Sequence, residues 1–366
     1  MGFAIFSMLT LVAAAAPPVH PWQLNTNPAY EPALGAPTVD DGADDDGLTP
    51  DEPEFPPMPG EVTDPTLRYS ADISDPELEK RFLEDAAGLG SMSVGYPEAG
   101  RVINGVQLGE GENWLVKDPT AAWGTQESID AVKLIANTVH ASRPGLGPLR
   151  INDIGRQHGG FMRPHRSHQN GRDVDMGLFF LDGDGPWAPR GKQKARVIDL
   201  GANWAVLRTV ATLTDAQVVL VDRKIQKMLY DYALATGENK AFVDSIFKGG
   251  PRQRPLVQHA RKHRDHFHVR FFAPRSQELG RRIVPLLAKK PEENLATHRV
   301  KAGDTLGRIA AKYGSTVKLI QKANGLGGTF LSNGRTIKVP LRGPCTKCPT
   351  PPPANIPPRR VAPMQG

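Results

Sequence analysis

Apolar residues in the stretch Glu127–Ser142 fall at Ile129, Val132, Ile135, Ala136 and Val139, a three-and-four spacing that predicts an amphipathic helix. Ala202–Leu213 and Lys224–Thr236 read the same way, and Gly237 supplies a C-terminal cap for the latter. Short alternating or continuous apolar runs predict strands at Leu149–Ile154, Val174–Leu181, Ala216–Val221 and His266–Phe272. Helices and strands mix without strict alternation, so the expected fold class is α+β rather than doubly wound. The globular pattern runs over residues 68–290. A second compact unit follows at 297–341, with a strand near Arg299–Val300, helices around Leu306–Tyr313 and Val317–Asn324, and a strand over Thr336–Val339.

The flanks lack this patterning. Phe3–Ala16 is an apolar run of 14 residues ending in four alanines, which reads as an export leader over residues 1–16, although no Lys or Arg precedes it. Residues 17–67 form an acidic, Pro-rich segment with too few apolar side chains to offset the entropy of ordering, so they read as a disordered linker. The end, 342–366, is again Pro-rich. The chain of 366 residues carries a net charge of +6, unevenly placed. No Lys or Arg occurs before Arg68 and 11 acids precede it, leaving 45 Lys and Arg against 28 acidic residues beyond. Such a body suits a polyanion: nucleic acid, anionic membrane or anionic cell wall. No apolar run reaches membrane-spanning length. No zinc-finger spacing or aromatic RNA-binding motif supports nucleic acid. The only cysteines, Cys345 and Cys348, exclude a disulfide-dense scaffold and a four-cysteine metal site. In an exported chain they suit a local disulfide or an intermolecular link.

Seven of the ten histidines fall in two windows: His158, His165 and His168, then His259, His263, His266 and His268. His168 and Asp175 are spaced H-x6-D across an Asn170-Gly171 turn, which can fold an imidazole back onto a strand carboxylate. His266 and His268 alternate along a strand, so both point to one side, about 7 Å apart at Cα, while Phe267 and Val269 point into the core. Two histidines and one aspartate would leave the fourth position of a tetrahedral Zn2+ open, the pattern of catalytic rather than structural zinc. Asp173 shares a face with Asp175 and is a rival ligand or a supporting residue. Arg163, Arg172 and Arg270 are candidate partners for substrate carboxylates.

The segments Gly159–Asp175 (GGFMRPHRSHQNGRDVD) and His263–Arg270 (HRDHFHVR) resemble the penicillin-insensitive murein endopeptidases. These are zinc peptidases akin to the D-Ala-D-Ala carboxypeptidases and the lysostaphin-like enzymes. Trp123-Gly124-Thr125, Asn203-Trp204 and the helix from Lys224 to Ala233 add to the resemblance, which spans about residues 95–275. It implies a peptidase domain of this zinc class built on a central antiparallel sheet. It also implies His168, Asp175 and His268 as ligands of one Zn2+, and His266 as the active-site imidazole, with His165 and His263 as further active-site histidines. The related carboxypeptidases place a Glu base shortly before the last ligand. Here Asp265 is the one carboxylate between His259 and His268, which favours the endopeptidase branch. The implied reaction is hydrolysis of D-alanyl-meso-diaminopimelate cross-links in peptidoglycan.

Residues His298 to Pro340 resemble a LysM module, a βααβ unit that binds glycans containing N-acetylglucosamine. The expectation is a periplasmic or secreted, wall-associated enzyme with peptidoglycan as its partner. The rivals are a non-catalytic wall-binding protein with a degenerate site, and a zinc D,D-carboxypeptidase.

Overall fold

The structure is a computed structural model that describes residues 38–39, 73–181, 196–250, 253–345 and 350–362. The expected leader, Cys348 and, apart from Thr38–Val39, the expected linker lie outside the described residues.

A six-stranded sheet organises the first unit. Its spatial order is Val257–His259, Ala216–Val221, His266–Phe271, Asp173–Gly177, Leu149–Ile151, Trp114–Val116. The three central pairings are antiparallel, as expected; the outermost pairing on each side is parallel. One face carries Val174, Met176, Phe267, Val269, Val219 and Val221, all buried in the main core with Ile129, Val132, Leu207 and Leu229 from the helices. The Gln126–Ser142 helix starts where Thr125 caps it, its hydroxyl accepting the Ser128 amide at 3.3 Å. Leu200–Leu213 begins earlier than its apolar pattern suggests because Asp199 accepts the Ala202 amide at 2.8 Å. The strands predicted at Leu149–Ile154 and Val174–Leu181 are shorter, at Leu149–Ile151 and Asp173–Gly177. Their remaining residues turn away to form loops.

A second core lies beneath the first. The Asp75–Glu84 helix, the Met92–Tyr96/Ala99–Ile103 hairpin and the Pro274–Arg282 helix bury Leu78, Phe82, Met92, Ile103, Leu279 and Ile283 together. A Cβ on Gly280 would lie 1.9 Å from the Ser93 carbonyl oxygen, so the helix reaches the hairpin only through glycine. The hairpin holds the histidine-bearing loop. The Pro97 carbonyl accepts the Gln169 amide at 3.0 Å, the Glu98 carbonyl accepts Gln169 Nε2 at 2.8 Å, and Ser93 Oγ donates to the Asn170 carbonyl at 2.9 Å.

The small unit has the expected βααβ order. Leu295–Arg299 pairs antiparallel with Thr336–Pro340, and helices Leu306–Tyr313 and Val317–Asn324 pack on them. The first strand starts four residues earlier than expected, because Ala296 and His298 continue the buried alternation. This unit rests on the hairpin: Thr297 Oγ1 donates to the Ala99 carbonyl at 2.9 Å, and Arg101 is ion-paired with Glu293. Cys345 is disulfide-bonded.

The Pro-rich tail returns to the first unit. Arg359 makes a two-pronged ion pair with Asp215, at 2.7 and 3.1 Å, and Arg360 is buried with its guanidinium on the carbonyls of Ser245 and Arg254. No helix among the described residues is long and apolar enough to cross a membrane.

Candidate active site

Strand register assembles the site. Asp175 lies directly opposite His268 in the central antiparallel pair, and Asp173 opposite Arg270. Directly opposed residues share a face, so two carboxylates, an imidazole and a guanidinium project from the sheet away from the main core. His168 arrives from the preceding loop. Its φ of 62° is left-handed, and its amide donates to Asp173 Oδ2 at 2.9 Å. Its Nδ1 donates to the Ile154 carbonyl at 3.0 Å, which turns Nε2 inward as the side available for a ligand.

Three atoms converge. His168 Nε2 is 3.2 Å from Asp175 Oδ1 and 3.1 Å from His268 Nδ1, and His268 Nδ1 is 2.9 Å from Asp175 Oδ1. A tetrahedral ion with bonds of about 2.0 Å sets its ligand atoms about 3.3 Å apart, so these edges suit a zinc-sized cation. All three residues are buried. A second set, His165, His168 and Asp175, offers ligand atoms within 4.8 Å of one another. The two sets share His168 and Asp175, and the described residues thus include a cluster able to hold a metal ion.

The outer oxygen of Asp175 is flanked by two further imidazoles. His165 Nδ1 is 3.6 Å from it and His266 Nε2 is 3.7 Å from it. Each ring is braced at its other nitrogen: His165 Nε2 by Asp153 Oδ2 at 3.2 Å, and His266 Nδ1 by Asp265 Oδ1 at 2.6 Å. The ring centre of His263 is 4.8 Å from that of His266 and 5.8 Å from that of His268.

The electrostatics follow from burial set against this charge. Burial alone would lower His268, but the nearby Asp173 carboxylate and the Asp175 carboxylate hydrogen-bonded to its Nδ1 raise it to about 10. Burial would raise Asp175, yet the His168 and His266 imidazoles hold it well below the carboxylate range. His168 and His266 are raised, each against its own burial, by Asp175, and His266 also by Asp265. His263 goes the other way. Burial and the adjacent imidazoles push it down to about 3, leaving a neutral ring whose Nδ1 donates to the Arg261 carbonyl at 2.8 Å.

The expected zinc ligands and active-site histidines therefore meet at one place. His158 and His259 do not join them: His158 is exposed beside the small unit, and His259 Nδ1 accepts the Arg223 amide at 3.1 Å. Asp173 is not free to be a ligand, because Arg270 clasps both its oxygens at 2.6 and 3.1 Å. The same clasp corrects the expectation that Arg270 meets substrate. Arg172 is corrected likewise: it is buried, with Nη1 on Gln217 Oε1 at 3.1 Å and on the Phe271 carbonyl at 3.2 Å. Arg163 is exposed. Sequence reasoning missed Asp153 and the bracing role of Asp265. A carboxylate two residues beyond the Leu149–Ile151 strand is the one signal for Asp153.

Two family models match the chain. Residues 93–289 match the sequence model of the family described as penicillin-insensitive murein endopeptidase, and residues 298–340 match that of the LysM domain. Over 45 residues, 12% of this chain, it is 49% identical to N-acetylmuramoyl-L-alanine amidase sle1 of Staphylococcus epidermidis, in two strains. That stretch is 14% of the relative's length, so the chain spans a small part of the curated relatives it matches.

Proposed function

The chain belongs to the penicillin-insensitive murein endopeptidase family, and on that premise we propose that it is a zinc-dependent peptidoglycan endopeptidase acting on D-alanyl-meso-diaminopimelate cross-links. Its LysM unit would hold it on glycan strands of the wall, as an exported, wall-associated enzyme. The observation that carries this reading is the convergence of His168 Nε2, Asp175 Oδ1 and His268 Nδ1 beside two carboxylate-braced imidazoles.

Zinc held by His168, Asp175 and His268 would supply Lewis acidity, polarising the attacked carbonyl and making water a nucleophile near neutral pH. The protein does the rest. The Ile154 carbonyl fixes the His168 tautomer. Asp173, pinned by Arg270, holds the His168 amide and so the loop. His266 presents Nε2 to the site, where it accepts a proton as water attacks or donates one to the departing amine; Asp265 at Nδ1 stabilises the ring while it is charged. His165 with Asp153 stands on the other side of Asp175, placed to donate to an oxygen that gains negative charge. Direct attack by water needs no acyl-enzyme, so β-lactams, which trap a nucleophilic serine, have no target here.

The test uses purified protein and a defined disaccharide-tetrapeptide cross-linked dimer, with zinc or with a chelator, read by mass spectrometry. Monomers formed only with zinc, and lost in His168→Ala, support the reading. Loss of a single alanine would reassign the chain as a carboxypeptidase. An unchanged dimer with no bound metal would leave a wall-binding protein.

A further inference from the structure

A cleft of about 620 Å3 opens between the peptidase and LysM units, away from the ligand set just described. The peptidase wall provides Trp123, Phe161, Arg156 and His158; the LysM wall provides Arg335 and Lys338. No acidic residue lines it. Two aromatic faces and four basic side chains in a concave site are the lining expected for a ligand that combines carboxylates with apolar or sugar surface. Arg335 and Lys338 form no ion pair among the described residues. Burial, with Arg101 close by, lowers the Lys338 amine below its usual range against the opposing pull of Glu293, so an anion in the cleft would favour its charged form.

The cleft is also tied to the active site. His158 and Phe161 belong to the loop that delivers His165 and His168. Gln169, next to His168, donates from Nε2 to Thr336 Oγ1 of the LysM strand at 3.2 Å. A ligand between the walls would therefore touch the catalytic loop and the glycan-binding unit at once.

We propose that this interdomain cleft binds the free, carboxylate-bearing stem peptide of peptidoglycan, separately from the cross-link that is cut. The identity of the ligand rests on the endopeptidase reading; the preference for an anion rests on the lining. An un-cross-linked stem peptide is the product of that reaction. Holding one would keep the enzyme on the strand it is opening.

The test measures binding of an un-cross-linked disaccharide-tetrapeptide to the full chain by calorimetry, beside its fully amidated form and beside inorganic polyphosphate. Variants are Arg335→Ala/Lys338→Ala on one wall and the exposed Arg156→Ala on the other, so that one survives if the other misfolds. Each variant should weaken muropeptide binding by roughly tenfold, the size of one lost charge-assisted contact. The amidated ligand should bind wild type and variants equally weakly. Equal muropeptide affinity in wild type and both variants overturns the proposal, as does equally tight binding of the amidated form. Polyphosphate binding that exceeds muropeptide binding overturns the choice of ligand. Cleavage of a sugar-free cross-linked peptide, followed on the same preparations, separates the two readings. Cleavage with unaltered muropeptide binding sinks the cleft alone; variant-sensitive binding without cleavage sinks the endopeptidase alone.

Discussion

Arg270 grips Asp173 through Nε to Oδ1 at 2.6 Å and Nη2 to Oδ2 at 3.1 Å, and the same carboxylate accepts the amide of His168 at 2.9 Å. Asp173 is fully buried and Arg270 nearly so. A residue that touches no substrate thus sets the backbone of a metal-ligand candidate. Asp173→Ala leaves a buried guanidinium unpaired and should lower stability by about 3–5 kcal/mol. Thermal melting of the metal-free protein checks this, and Asp173→Asn should lose less because it keeps the acceptor for the His168 amide.

The Asp265–His266 pair should separate chemistry from metal binding. His266→Ala is expected to cut the turnover of the cross-linked dimer by about 10²–10⁴, the range of a lost general acid–base, with bound zinc unchanged. Asp265→Asn should cut it less and shift the pH–rate profile to lower pH, because the carboxylate at 2.6 Å raises the imidazole. Metal content measured on the same samples decides whether the loss lies in chemistry or in zinc.

Zinc binding should release protons. His268 is raised to about 10, so in the metal-free protein it carries a proton at pH 7.5 that a ligand cannot keep. Calorimetry in buffers of different ionisation enthalpy should count at least one proton released, with affinity falling as pH falls. The metal-free stability follows from the same shifts. The raised His268 contributes fully below its unfolded value of about 6.5 and less as pH climbs toward 10; the lowered Asp175 contributes fully above its unfolded value of about 4 and less below it. These two groups place the optimum of the metal-free protein between about pH 4 and 6.5. Saturating zinc should move it upward, as melts with chelator and with zinc will show.

The C-terminal segment should be integral to the fold. Arg360 donates to the Ser245 and Arg254 carbonyls at 3.1 and 2.8 Å from a buried position. Arg360→Ala should cost about 2–3 kcal/mol, two charge-assisted hydrogen bonds less partial rehydration. Limited proteolysis should then release the tail before the LysM unit; a tail equally resistant in the variant would contradict this.

Much of this was legible in the chain itself. Periodicity placed the Glu127–Ser142 helix and its buried face, because a 3.6-residue repeat admits one apolar side. Alternation through His266-Phe267-His268-Val269 assigned histidines to one face and core residues to the other. The H-x6-D spacing and the paired histidine windows named the metal-ligand candidates that the fold then brought together. Strand ends were less legible: Asp173–Gly177 stops although Leu178–Leu181 continues the apolar run, and Leu149–Ile151 stops short of Ile154, because pairing partners rather than propensity end a strand.

What the sequence determined by itself was local: which segments repeat with a helical or strand period, and which residues are candidates for metal and proton chemistry. Tertiary structure decided the rest. Register set Asp175 opposite His268 and Asp173 opposite Arg270, which turned Asp173 and Arg270 onto each other, while burial against Gln217 and the Phe271 carbonyl took Arg172 out of the substrate role open to it in sequence. The fold brought Asp153 to His165 across twelve residues, and a Pro-rich tail back across more than a hundred to bury Arg360. Composition and spacing cannot encode these outcomes, because pairing between distant segments depends on how the whole sheet and its two cores close around one another.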